Sequence, residues 1–293
     1  MMPKTDLLVI INPLSGTMPL AQKESLRLFI ATEAQRQGFQ PELIMTTHAG
    51  HATELAAQAA QTGIRRVLVV GGDGTINEAA RALRKTATAL GIIPMGSGNG
   101  LARHMGLPMN PQKATQRALS GKPVLIDSGE INDLPFFCTA GLGFEAYVAH
   151  EFANQPTRGL QTYVKTAYRA FWSYKPASYL VDGQETGPLF SLTIANAAQF
   201  GNNAWIAPLA NIADGQLDLC QIRPFPARMA GLIGWRLFNK SLNTSAYWQS
   251  QRLQQTTIES DAPLLAHADG EPILLAGNTC TVRVLPGSLS VLL

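Results

Sequence analysis

Four short apolar runs punctuate the first third of the chain: Leu7–Ile11, Pro41–Thr46, Val67–Gly71 and Ile92–Met95. Each stops at a turn rich in Gly, Asn, Ser or Thr. Between them the apolar positions switch to helical spacing. Leu26, Phe29, Ile30 and Ala34 share one face of a predicted helix over Leu20–Gln37, which Gly38 ends. An alanine-rich helix is predicted over Gly50–Thr62, another over Ile76–Leu83 and a fourth over Pro111–Ser120. Strands alternating with helices predict an open parallel sheet in α/β layers. In such sheets ligands sit beyond the carboxyl ends of the strands, so the turns at Asn12, Thr46, Gly72 and Gly96 are expected to gather there.

From Pro123 the pattern changes. Strand-like runs follow one another at Val124–Ile131, Phe136–Thr139, Ser178–Val181, Phe190–Asn196 and Leu217–Ile222, then at Thr256–Glu259, Leu264–Ala268, Ile273–Ala276 and Thr281–Leu285. Many short strands without intervening helices predict an antiparallel β-sandwich. The expected fold is therefore α/β plus all-β, with a nucleotide-binding domain over 1–122 and a substrate domain over 123–287. Two helices are predicted to interrupt the second domain. Gly159–Ser173 places Leu160, Tyr163, Val164, Ala167 and Phe171 on one face, and Arg228–Lys240 is apolar with basic ends. Such stripes either complete an ordinary core, line a lipid-entry cleft or touch a membrane surface.

Composition narrows the class. The 293 residues are 46% hydrophobic and 15% charged, which describes an ordered globular protein of two modest domains. A net charge of +3 is too small to argue for a nucleic-acid partner and does not oppose an anionic membrane. Cys138, Cys220 and Cys280 show neither zinc spacing nor a disulfide framework, which points to a reducing cytoplasm. The first apolar run is too short for a signal peptide, and no stretch approaches the roughly 20 apolar residues of a membrane span.

The candidate chemistry lies in Gly71–Ala102. Val67–Val70 leads into Gly71, Gly72, Asp73, Gly74 and Thr75, and Gly91–Met95 leads into Gly96, Ser97, Gly98, Asn99 and Gly100. Glycine at a strand end lets backbone N–H groups approach an anion, and the helix that follows adds its positive end. Two such turns side by side predict a polyphosphate cradle. Asp73 inside it would repel phosphate unless a divalent cation sits between them.

These residues resemble the diacylglycerol-kinase catalytic domain, the family of bacterial lipid kinases and of diacylglycerol, ceramide and sphingosine kinases. Beyond GGDGT and PMGSGN, the similarity extends to Asn12–Gly16, Ile126–Gly129, Ala213–Asp218 and Ala268–Pro272, in the family's order. The resemblance implies a kinase that uses ATP and Mg2+ in a cleft between the domains, phosphorylates a lipid hydroxyl, and visits the membrane from the cytoplasm. It implies that Asn12, Thr46 (or its neighbour Thr47), Gly71, Gly72, Asp73, Gly74, Thr75, Ser97 and Asn99 bind the nucleotide. Glu271 of the Asp-Gly-Glu turn takes the place of the family's general base, with Asp73 its competitor as base or metal organiser; an arbitrary Asp-Gly turn is otherwise a solvated hairpin. Asp214 stands where bacterial members carry a magnesium site, with backbone oxygens from Asn211 and Gln216, and Asp127 would support that site through water. Both aspartates fit plain strand-end turns equally well. The family also implies that the last strand, near Ser288–Leu293, returns to the first domain.

Two positions depart from the family pattern. Gly100 replaces the usual aspartate after Asn99, and Gly143-Phe144-Glu145 replaces GFD. They leave the acceptor open among diacylglycerol, monoacylglycerol, sphingoid base, ceramide and phosphatidylglycerol. The alternatives are a soluble-metabolite kinase of the NAD-kinase type and a nucleotide- or lipid-binding regulator without turnover. The oligomeric state stays open, a homo-oligomer included.

Overall fold

The structure, a computed structural model, describes residues 6–157 and 159–293, apart from the side chains of Leu20 and Leu160; the expected position of Leu160 on a helix face therefore lies outside the described residues. The chain divides into two compact units, Met1–Ile126 with Gly287–Leu293, and Asp127–Pro286.

The first unit is the α/β half. Its strands are β1 (Leu7–Ile11), β2 (Pro41–Met45), β3 (Arg66–Gly71) and β4 (Ala89–Pro94), and its helices α1 (Leu20–Arg36), α2 (His51–Gln61), α3 (Asp73–Leu83), α4 (Gly100–His104) and α5 (Pro111–Ser120). The sheet runs β2-β1-β3-β4 with parallel pairing throughout. β1 and β4 are buried along their whole length, because helices cover both faces, which is why they read as continuous apolar runs. At the far side Val291 pairs in parallel with Leu90 of β4, so the chain's end belongs to this unit. Leu7, Val9, Ile30, Leu68, Ile93 and Leu292 are among the residues of its core.

In the second unit the strands are β5 (Pro123–Ile131), which begins in the first unit, β6 (Leu134–Phe136), β7 (Thr139–Gly143), β8 (Ala177–Val181), β9 (Gln184–Leu189), β10 (Ser191–Ala195) and β11 (Leu217–Ile222). They continue with β12 (Trp248–Leu253), β13 (Gln255–Glu259), β14 (Leu265–Ala268), β15 (Glu271–Leu274) and β16 (Thr279–Leu292). One sheet has the order β12-β11-β10-β7-β14-β15, antiparallel at every step. A second antiparallel set pairs the first part of β16 with β13, β13 with β8, and β8 with β9. Side chains from both sets, including Leu142, Leu192, Leu219, Ile258 and Val282, form one core.

Several boundaries differ from the expected ones. α3 begins at Asp73 rather than Ile76, so the GGDGT segment is itself the first turn of the helix, with Gly72 as its cap. The run Phe136–Thr139 is split between β6 and β7. Three helices, not two, lie in this half: α6 (Phe144–Ala153), α7 (Leu160–Ser173) and α8 (Ala230–Phe238). α6 packs against α7 and against β14 and β15, and its sequence is apolar on more than one side. It lacks the one-sided stripe by which a surface helix is recognised.

Candidate functional site

The two glycine turns of the first unit meet backbone to backbone. A Cβ on Gly96 would stand 2.8 Å from the Cα of Gly72, and one on Gly71 would stand 2.7 Å from Cβ of Thr75. Glycine is therefore required by close approach at both positions. Met95 N–H donates to the Gly71 carbonyl at 2.8 Å, the last rung before the chains diverge into their turns.

Asp73 clasps the turns together. Its Oδ2 accepts the Asn99 N–H at 2.8 Å and its Oδ1 the Gly100 N–H at 2.7 Å. Asn99 sits in the left-handed region, and its side chain closes the turn by accepting from Gly96 N–H and donating to the Gly96 carbonyl. The carboxylate thus caps the start of α4, satisfying donors that a short helix leaves unpaired. Burial raises the Asp73 pKa above its ordinary value, and these N–H bonds pull the other way. The N-terminus of α4 is accordingly taken by Asp73. At that of α3, Gly74 is exposed.

The remaining first-unit candidates surround these turns. Asn12 donates from Nδ2 to Thr75 Oγ1 at 2.8 Å, which fixes the turn after β1 against α3. Ser15, a residue the sequence reading did not single out, accepts the Gly72 N–H at 3.2 Å. Thr46 N–H bonds to the Ile11 carbonyl, at the carboxyl end of β2. Ser97 is exposed at the tip of the second turn. Asn12, Gly71, Gly72, Asp73, Thr75 and Asn99 are thus brought into one bonded network, whereas Thr46 and Ser97 stand beside it without a side-chain bond to it.

In the second unit, Glu271 opens β15 and is exposed. The turn before it has Asp269 and Gly270 both at positive φ, the backbone of a tight hairpin. It is not a merely solvated turn. The Asp269 carboxylate accepts N–H bonds from Phe137, Cys138 and Thr139 at 2.8, 2.7 and 3.0 Å. Gly270 N–H donates to Nδ1 of the buried His267 at 3.3 Å.

The loop before β11 brings Asp127, Asn211, Asp214 and Gln216 together. Asp127 Oδ2 accepts from Gly215 N–H at 2.7 Å, Asp214 Oδ1 from Gln216 N–H and Asn211 Oδ1 from Ala213 N–H. Arg252 lies 3.8 Å from Asp214. The donors are oxygens, the chemistry that magnesium prefers. Among the described residues, no three His, Cys, Asp or Glu side chains converge on a metal position. An ion here would complete its shell with carbonyls, water or phosphate, which is the usual habit of magnesium.

Glu145, the residue in place of the family's aspartate, is buried in the first turn of α6. Its Oε1 accepts from Thr193 Oγ1 at 2.6 Å, and its Oε2 has no partner. A Cβ on Gly141 would stand 2.6 Å from that Oε1 and 3.1 Å from His267 Nε2, so both polar ends crowd one glycine. Burial pushes the Glu145 carboxyl up to about 7 and the His267 imidazole down to about 4.

Comparison with known proteins gives the family. Residues 6–131 match the diacylglycerol kinase catalytic domain, and residues 139–293 match the YegS C-terminal NAD kinase beta sandwich-like domain. The chain is 31% identical to a "Probable lipid kinase YegS-like" of Chromohalobacter salexigens, over 97% of this chain and 92% of that one. A protein of the same description from Pseudomonas syringae pv. syringae is 30% identical over 92% and 89%. The crystal structure of a diacylglycerol kinase from Bacillus anthracis str. Sterne superposes with a TM-score of 0.73 at 20% identity, covering 98% of this chain and 96% of that one. That similarity speaks for the fold.

Proposed function

This chain belongs to the diacylglycerol kinase catalytic domain family of lipid kinases, and from that membership and the geometry above we propose that it transfers the γ-phosphoryl group of ATP to the hydroxyl of a membrane lipid. The observation that carries the reading is the clasp at Asp73. It holds two glycine turns together, which supports assigning phosphate to the N-terminus of α3.

In the proposed reaction the acceptor oxygen bonds to the γ-phosphorus while the bond from that phosphorus to the bridging oxygen breaks. ADP leaves with the electron pair, and the hydroxyl proton passes to Glu271. The first-turn N–H groups of Gly74 and Thr75 receive phosphate oxygens, with Asn12, Gly71, Gly72, Ser97, Asn99 and Thr46 shaping the surroundings. Asp73 acts as organiser rather than base, since both its oxygens already accept N–H bonds. Asp214 and Asp127, with the carbonyls of Asn211 and Gln216, would hold Mg2+. When bound, the ion spreads the phosphate charge.

The test is labelled ATP with Mg2+ against lipids in mixed micelles, resolved by class, with NAD alongside because the second domain matches an NAD kinase beta sandwich-like description. The expected result is a labelled lipid, with turnover of Glu271→Gln lower by about a hundredfold or more. Label in NADP instead, or in nothing, refutes the reading.

A further inference from the structure

Among the described residues, five Phe, Tyr or Trp side chains are exposed: Tyr163, Tyr168, Trp172, Trp235 and Phe238. All five lie on α7 or α8. On α7, Val164, Tyr168 and Trp172 recur every fourth residue and form a stripe on the solvent side, Tyr168 being 67% and Trp172 65% exposed. On α8, Leu232, Trp235 and Phe238 recur every third residue and are exposed as well, Trp235 being 58% and Phe238 54% exposed. A water-soluble helix normally turns such a stripe inward. Here the opposite faces are already packed. Thr166 and Ala170 of α7 and Ile233 of α8 are buried, and Phe171 of α7 stacks on Phe225 just before α8, with centroids 6.1 Å apart.

Along the two helices and their flanking sequence the charges have one sign. From Phe152 to Val181 the sequence has no Asp or Glu, and Lys165, Arg169 and Lys175 are exposed. From Leu219 to Ile258 acidic residues are again absent, while Arg223, Arg228 and Lys240 are exposed and Arg236 half-buried. Lys165 and Arg169 flank Tyr168 directly. Tryptophan and tyrosine beside lysine and arginine form the composition that settles at a headgroup boundary: rings enter the interface and cations meet anionic lipid.

We infer that α7 and α8 form a docking face for an anionic bilayer, with Tyr168, Trp172, Trp235 and Phe238 entering the headgroup layer. The inference rests on the reading that the acceptor is a membrane lipid, and it names the surface that meets that membrane. Docking through two separate helices of one unit fixes the orientation of the protein at the bilayer, which a single stripe would leave free to roll.

The experiment is sedimentation of the full-length protein with vesicles of phosphatidylcholine alone and of phosphatidylcholine mixed with phosphatidylglycerol. The wild type should pellet with the mixed vesicles and be released by salt. Trp172→Ser with Trp235→Ser should weaken that partition by at least about tenfold. Lys165→Gln with Arg169→Gln should remove most of the preference for phosphatidylglycerol. Both variants should keep the wild-type melting temperature and phosphorylation in detergent micelles. Equal pelleting with both vesicle types, unchanged in the variants, overturns the inference. So does a serine variant that dissolves a dimer in size-exclusion chromatography without altering vesicle binding, since a second copy would then cover the face. Vesicle binding that behaves as stated while no lipid is ever labelled leaves the docking face standing and removes the lipid-kinase reading; a labelled lipid with unaltered binding does the reverse.

Discussion

Replacing Glu145 with glutamine should change the pH dependence of stability by a large and calculable amount. The carboxyl is buried, with one oxygen unpartnered, and its pKa lies at about 7 against an ordinary 4.5. Below 4.5 it is protonated whether the chain is folded or not, and it has no effect. Between 4.5 and about 7 the unfolded chain has lost the proton and the folded one keeps it, so stability falls as pH rises. That interval, at about 1.4 kcal/mol per pH unit, amounts to about 3 kcal/mol lost by pH 8. His267 acts in the opposite sense. Its imidazole is held neutral down to about 4 against an ordinary 6.5, so its contribution is present above 6.5 and is lost as pH falls through 4, again about 3 kcal/mol. In the wild type the two slopes nearly cancel between pH 4.5 and 6.5. Glu145→Gln removes one of them. Urea unfolding from pH 4.5 to 8 should show the variant gaining on the wild type by about 3 kcal/mol across the interval, and His267→Gln should lose ground on it over pH 4 to 6.5 by a similar amount. Taking differences cancels every other titrating group, and any packing cost of glutamine is independent of pH. A wild-type-to-variant difference that stays flat from pH 4.5 to 8 would refute the assignment of a buried, neutral carboxyl.

Gly96→Ala should drive the two nucleotide turns apart, because its Cβ would lie 2.8 Å from Gly72 Cα and 2.9 Å from Asn99 Oδ1. We expect about 1–3 kcal/mol of destabilisation and a loss of ATP binding by calorimetry that exceeds any change at the second unit; undiminished ATP affinity would show that the close approach is dispensable. Asp269→Ala strips the acceptor from three N–H groups, for about 3 kcal/mol, read as a lower melting temperature, with Asp269→Asn recovering part of it. An unchanged melting temperature in the alanine variant would mean that water serves those donors equally well.

Much of the fold was legible because β1, β3 and β4 are buried almost throughout and read as continuous apolar runs. The four parallel strands of the first unit and the helices α1, α2 and α5 follow directly from the period of their apolar residues. α4 was not legible. It has five residues, and the group that caps it, Asp73, lies 26 positions upstream of Asn99, beyond the reach of any local capping pattern. β12 reads WQSQRL, and its interior positions are exposed, so it carries no apolar alternation to detect. α6 erred in the other direction, with too many apolar residues to show a face.

For the site, spacing located the residues but not their employment. The turns at Gly72 and Gly96 were expected to lie side by side, yet only the folded backbone shows that a Cβ on Gly96 would collide with Gly72. Asp269 was expected merely to turn the chain; its three partners lie 130 or more residues upstream, so its anchoring role was invisible from the turn itself. Burial with one carboxyl oxygen unpartnered, the property that distinguishes Glu145, has no signature in a motif that differs from the family's by one methylene.

Asp73 and Asp269 resolve one physical problem in the same way. Each belongs to a segment that must hold a fixed shape next to a charged ligand in the proposed reaction, and each is anchored by backbone N–H groups. A lysine or arginine in that position would form a stronger pair, but it would also attract phosphate and compete for it. Backbone donors satisfy the carboxylate locally, point in fixed directions and carry no net charge of their own. In the proposed reaction the α3 N-terminus and Glu271 are the parts that meet nucleotide and acceptor. The arrangement explains why aspartate, a poor choice beside phosphate on electrostatic grounds alone, can stand in the middle of a glycine turn built to receive it.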